Sequence, residues 1–226
     1  MQSERLNKYL ALQLGVSRRE ADALISQGRV RINGEVARLG ARFQSDDSLT
    51  FNNKPLGEAT IKQYLAFHKP TGYVCSRRAQ GDNPTVYSLL PKNLHTLKPV
   101  GRLDKDSSGL LLLTNDGDFA YQMTHPKFHK SKTYQVDLDR DLAPLHQQMI
   151  SDFGVHLDDG TSKLLLERRS DTNRRQWTVQ MSEGRNRQIR RTFASLGYEV
   201  AALHRIEFGS YQLGSLASGE TLEITP

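Results

Sequence analysis

An α+β fold in two parts is predicted for this 226-residue chain: a small basic helix-helix-hairpin unit, then a larger unit with a mixed, largely antiparallel sheet and flanking helices. Three observations predict it. Apolar residues near the N-terminus recur at helical spacing, Asn33-Gly34 separates two short extended runs, and beyond residue 60 several segments alternate apolar with polar residues. Length and a hydrophobic content of 37% permit one good-sized core beside a small one. The first unit with its linker is expected over residues 1–59 and the second over 60–226.

Taken in order, Leu6, Tyr9, Leu10 and Leu14 form the apolar stripe of a short helix, leaving Arg5 and Lys8 on or beside its wet face. Ser17-Arg18-Arg19-Glu20 reads as a capping box, in which the Ser17 hydroxyl accepts from the Glu20 amide while the Glu20 carboxylate reaches back. It predicts a second helix over about 18–27 that stops at Gly28. Residues 29–32 read as a strand, and Asn33-Gly34 suits a type I′ turn because both residues tolerate positive φ. The return strand then starts near Val36. Residues 52–61 are polar, with Pro55 and Gly57, and read as a linker. Farther on, Tyr134, Val136 and Leu138 alternate with polar neighbours, as do Trp177, Val179 and Met181, which predicts half-buried antiparallel strands. Helix-like stretches lie near 119–123, 144–151 and 187–196, completing an α+β unit.

Lys and Arg outnumber Asp and Glu by 31 to 25, and the excess is concentrated at the start. Arg5, Lys8, Arg18, Arg19, Arg29, Arg31, Arg38 and Arg42 face only Glu4, Glu20, Asp22 and Glu35 through residue 43. Any one of these arginines is well explained as solvated surface. Together they favour a polyanion, because Arg and Lys at phosphates release counterions and provide sequence-blind affinity. The one cysteine, Cys75, excludes an internal disulfide and a cysteine-rich zinc site, so a reducing compartment and a buried, inert thiol are expected. No run approaches the roughly 20 apolar residues of a membrane span, which points to a soluble cytoplasmic protein. The histidines show no metal-ligand spacing: His125 and His129 are four apart, but Pro126 lies between them.

The most informative segment is Gly101-Arg102-Leu103-Asp104-Lys105-Asp106-Ser107-Ser108-Gly109, followed by Leu110 to Leu113 and Thr114-Asn115-Asp116-Gly117. A polar loop bracketed by glycines leads into an apolar strand, which puts an aspartate at the rim of a sheet. On pattern alone, Asp104 and Asp106 could equally be caps of surface turns. Paired carboxylates of a glycoside hydrolase are another reading, although a two-residue separation on a loop does not set a suitable distance.

Residues 3–51, two short helices and a hairpin with arginines at a helix start and on a strand, resemble the alpha-L RNA-binding domain. The string GRLDKDSSGLLLLTNDG closely resembles the signature of the RsuA-type family of ribosomal RNA pseudouridine synthases. His68-Lys69-Pro70-Thr71-Gly72, Lys132-Thr133-Tyr134-Gln135-Val136, Glu183 through Arg191, and Leu203-His204-Arg205 through Leu213 resemble further motifs of that family in order and spacing. Ser107, Ser131 and Thr221 depart from its commoner residues without removing a group the chemistry needs.

The resemblance implies isomerisation of a uridine in ribosomal RNA to pseudouridine: the bond from ribose to N1 breaks, the base turns, and carbon 5 is joined instead. A carboxylate nucleophile can run this without cofactor or metal. Asp104 is implied as the catalytic residue, Tyr134 as the ring against the base and a proton shuttle, and Arg190 as the cation that keeps Asp104 ionised. Arg102 is implied to help extrude the uridine from its stack, and Leu203 to form the apolar wall under the base. Arg187 and Arg191, beside Arg190 at helical spacing, are expected to meet phosphate, while Arg5, Lys8, Arg18, Arg19 and Arg29 hold RNA in the N-terminal unit. For Tyr134 a core role is the rival, and Lys69 is expected to support the catalytic loop through carbonyls rather than touch RNA. The partner implied is ribosomal RNA or a pre-ribosomal particle, met by a monomer, and a noncatalytic RNA-binding or ribosome-assembly protein is the alternative.

Overall fold

The computed structural model describes residues 3–57, 61–77 and 81–226. The first helix, Leu6–Gln13, buries Leu6 and Leu10 as its stripe predicts. The second, Arg18–Ser26, starts at the expected capping box: the Glu20 amide donates to Ser17 Oγ at 3.1 Å and the Ser17 amide to Glu20 Oε2 at 2.7 Å. Strands Val30–Ile32 and Glu35–Val36 form the hairpin, with Asn33 and Gly34 at φ 51° and 85°. A small core of Leu6, Leu10, Ala21, Ile25, Val30 and Leu49 closes between the helices and this sheet.

The expected linker begins too early. Lys54–Pro55 pairs with Leu49–Phe51 as a further strand, and Leu56 packs on the small core. Asn52 and Asn53 make this turn at φ 51° and 62°, a conformation asparagine tolerates through local side-chain hydrogen bonds. Polarity alone did not distinguish a hairpin turn from a tether. Residues 58–60 lie outside the described residues.

The second unit is built on a nine-stranded sheet. Its main order is Leu165–Arg168, Gln176–Met181, Lys132–Leu138, Val200–Phe208, Ser108–Thr114, Tyr64–Lys69 and Thr221–Glu223. All neighbours are antiparallel except Val200–Phe208 beside Ser108–Thr114, so the expected mixed, largely antiparallel sheet is present. The strand Ser108–Thr114 lies near the middle and is buried on both faces, which explains its unbroken leucines. Leu111 and Leu113 join a core with Phe67, Tyr134, Val136, Trp177 and Leu203, while Leu110 and Leu112 join another with Ala66, Val100, Phe119 and Phe208.

Helix Gly117–Thr124 is capped by Asp116, whose carboxylate accepts from the Asp118 and Phe119 amides. Helix Pro144–Gln148 runs on into a π-helical turn, Met149–Phe153. The third predicted stretch is the short helix Gln188–Ala194. The two units touch through Lys8 and Asp118, through Lys98 Nζ donating to Val16 O at 2.7 Å, and through Arg77 Nη1 donating to Gly15 O at 3.1 Å.

Candidate active site

The site is assembled where the one parallel pairing of the sheet brings Gly109 against Arg205. Gly109 has φ 106°, and a Cβ there would lie 2.2 Å from Arg205 O, so only glycine allows the strands to approach. Before it, the loop from Gly101 carries Asp104 and is held from beneath by Lys69. That side chain is fully buried and donates to Pro70 O at 3.0 Å, Asp104 O at 3.0 Å and Ser107 O at 2.7 Å. An ammonium has three donors, and three carbonyls take them. Burial pushes the Lys69 amine below its ordinary value. The expected loop-supporting role is what the geometry displays.

Asp104 itself is half-buried, and Arg187 Nη1 lies 3.3 Å from its Oδ2. This corrects the expected pairing with Arg190. Arg187 also forks onto Asp106, with both contacts at 3.1 Å, and Arg190 approaches Asp106 rather than Asp104, its Nε 3.3 Å from Oδ2. The remaining Arg190 donors reach Asp106 O at 2.9 Å and Val200 O at 2.7 Å, which ties the Asp104 loop to the next strand. The physical reason is the helix start. Arg187 is not in the helix but caps it at φ 45°, a left-handed conformation that swings its guanidinium towards the loop. Burial alone would raise the Asp106 carboxyl, but hydrogen bonds from Arg187 and the charges of Arg190 and Arg187 hold it below the usual carboxylate range.

A cleft of about 400 Å³ opens beside Asp104, a size that holds small ligands. Arg102, Asp104, Tyr134, Arg187 and Leu203 line it, so five expected site residues meet although they come from four separated segments. Tyr134 and Leu203 form its buried apolar wall, whereas Arg102 is exposed at its edge. Arg190 and Arg191 are not among its lining residues. Arg191 instead forks onto Asp159 at 3.1 and 2.6 Å, where Arg185 also binds, so it clamps the hairpin of Val155–Leu157 and Gly160–Ser162. Phosphate contact by Arg191 would have to displace that carboxylate.

Lys132 and Arg205, both lining the cleft, were given no role by the sequence motifs. Lys132 stands two residues before Tyr134 on the same strand face, and burial, together with repulsion from Arg205, pushes its amine down to about 8. Arg205 stands two residues after Leu203, again on one face, and is buried. Alternation with an assigned neighbour was the available signal for both. Cys75 is half-buried rather than buried, and its sulfur accepts from the Leu103 amide at 3.4 Å. Burial pushes its thiol up, in keeping with an inert role.

In the N-terminal unit Arg5, Arg18, Arg19 and Arg29 are exposed. Arg29 lies over the Phe51 ring at 4.9 Å and donates to Asn52 Oδ1. Lys8 differs, being engaged by Asp118 across the junction and by Glu4 on its own helix.

The family model described as RNA pseudouridylate synthase matches residues 63–195, and that of the S4 domain matches residues 4–49. The ribosomal large subunit pseudouridine synthase B of Bacillus subtilis is 36% identical, aligned over 99% of this chain and 93% of the relative. The ribosomal small subunit pseudouridine synthase A of Pasteurella multocida is 38% identical over 96% of this chain and 94% of its own. A solved structure, a crystal structure of pseudouridylate synthase, superposes with a TM-score of 0.69 at 34% identity, covering 98% of this chain and 96% of that one. The chain belongs to the RNA pseudouridylate synthase family and carries an N-terminal S4 domain. It is an isomerase, so the noncatalytic alternative falls. No helix among the described residues is long and apolar enough to cross a membrane.

Proposed function

We propose that the protein isomerises a specific uridine of ribosomal RNA to pseudouridine, with Asp104 as nucleophile. The observation that carries this reading is the half-buried Asp104 carboxylate beside the Arg187 cation at the mouth of a cleft whose wall is Tyr134 and Leu203. A flat base can lie against a wall made of an aromatic ring and an aliphatic side chain, and stacking on such a ring is worth about 1–3 kcal/mol. Arg102, exposed at the edge, fills the place the uridine leaves in its helix, which offsets part of the few kcal/mol that extrusion costs. The C1′–N1 bond breaks with its electron pair on the base. Asp104 bonds to C1′ as N1 leaves; carbon 5 then attacks C1′, the Asp104–C1′ bond breaks with its electron pair returning to the carboxylate, and carbon 5 loses its proton while N1 gains one, so no redox partner is needed. Tyr134 carries the proton between those positions.

Arg187 lies beside the Asp104 carboxylate, and Arg190 holds the loop through Asp106. Arg5, Arg18, Arg19 and Arg29 offer an exposed basic surface for phosphate. Relatives named for both ribosomal subunits support ribosomal RNA, free or in a pre-ribosomal particle, as the substrate. The lone cysteine supports a cytoplasmic setting. Tritium release from ribosomal RNA carrying tritium at carbon 5 of uridine tests the reading. Wild type should release it and Asp104→Asn should not, while binding RNA as before. Release by a verified Asp104→Asn protein would refute the assignment, and mapping pseudouridines in a deletion strain identifies the target.

A further inference from the structure

The cleft holds a cation that the roles above leave unused. Arg205 is 2% exposed, and its Nε donates to Leu110 O at 2.8 Å. Its Nη2 is buried with no hydrogen-bond partner among the described residues. The guanidinium carbon lies 4.9 Å from the Phe208 ring centre and 6.0 Å from that of Tyr134, and its charged neighbours include the cations Lys132 and Lys69. Burying a guanidinium without a carboxylate is costly, and the faces of two aromatic rings return only part of that cost. A buried donor without an acceptor calls for an explanation. Here Arg205 is one of the residues that line the cleft, paired across the sheet with Tyr134.

The chemistry of the proposed isomerisation supplies the missing acceptor. When C1′–N1 breaks, the electron pair stays on N1 and the negative charge spreads to the ring carbonyl oxygens. A guanidinium fixed in a partly dry cleft favours that anion over the neutral base, because its donors need not reorganise as the charge appears. We propose that Arg205 is a further catalytic residue, whose unspent guanidinium N–H groups bind a carbonyl oxygen of uracil and stabilise the base as it leaves. Arg205 acts as a hydrogen-bond donor and transfers no proton. When carbon 5 attacks C1′ and its proton is lost to N1, the base is neutral again and the interaction relaxes. This inference rests on the isomerase reading above.

The test compares single-turnover rates on RNA with uridine and on RNA with 5-fluorouridine at the target. Fluorine stabilises the uracil anion by itself, so a residue that stabilises the anion matters less for that substrate. Arg205→Met, which keeps an apolar filling between the rings, should slow bond cleavage of uridine by about a hundredfold or more at saturating RNA, with RNA affinity changed less than twofold. The loss should shrink at least tenfold with 5-fluorouridine, and Arg205→Lys should recover part of the rate. A merely structural arginine would slow both substrates alike, and equal defects overturn the proposal. If Arg205→Met loses its circular-dichroism signature, the same comparison is made with Arg205→Lys, where an equal defect on both substrates again overturns it. An inactive wild type would refute the isomerase reading itself. An active wild type with an equally active Arg205→Met refutes only the role of Arg205.

Discussion

Replacing Lys69 by Met tests how the loop that carries Asp104 is held. The side chain is fully buried, and its ammonium serves three carbonyls, two of which belong to the loop itself, at Asp104 and Ser107. Met has a similar reach and fills the volume, so the loss is polar rather than a cavity. Each carbonyl left without a donor in the interior costs about 1–3 kcal/mol. The contacts to Pro70 O and Asp104 O are only part-buried, which places them at the low end. Release of a buried charge offsets some of the total, since burial already disfavours the protonated amine. A net loss of about 3 kcal/mol follows for Lys69→Met. The loop should also drift, and a displacement near 1 Å at a reacting group lowers the rate by about a hundredfold. Urea unfolding and single-turnover tritium release measure the two effects. A Lys69→Met protein within about 0.5 kcal/mol of wild type, with an unchanged rate, would show that the loop holds its shape without the lysine.

Three further perturbations address other parts of the structure. Gly109→Ala forces a Cβ to within 2.2 Å of Arg205 O at φ 106°, so the parallel junction must open; a loss of at least about 3 kcal/mol, or a melting point lowered by roughly 10 °C, is expected. A melting point within about 1 °C of wild type would contradict the close approach. Lys132 has a folded value of about 8, below that of the unfolded chain near ~10.4, so the unfolded state binds more protons between them and stability rises with pH across that window. Urea titrations at several pH values should show a shallower rise for Lys132→Met, and an identical slope would refute the burial of that charge. Arg18→Gln with Arg19→Gln removes two exposed cations from the N-terminal unit. RNA affinity should fall and the log-log salt slope should shrink by about 1.5. A slope equal to wild type would remove these residues from the RNA surface.

The features readable in the sequence are those whose cause is local. Ser17 and Glu20 cap a helix three residues apart, and Asn33-Gly34 takes positive φ by its own chemistry, so both appear where expected. Asn52-Asn53 uses the same chemistry, yet the polar run around it read as a tether because only pairing with Leu49–Phe51 reveals the strand. The leucines of Ser108–Thr114 signalled a buried strand, and Gly109 signalled a close approach, but not what approached.

Asp104, Tyr134, Leu203 and Arg102 could be placed at one site by ordered motifs, because each motif keeps its function through its own residues. Their electrostatic partners could not. Arg187, Arg190 and Arg191 look alike at helical spacing, and which carboxylate each meets depends on a helix beginning one residue later and on a loop 81 residues away. Arg205 became a buried cation with no carboxylate partner among the described residues only when its strand was packed between two cores. Sequence alone determined the local conformations and the inventory of reactive groups. The tertiary structure decided which charges are paired, because Coulomb energy depends on distance and burial, and both are set by segments remote along the chain.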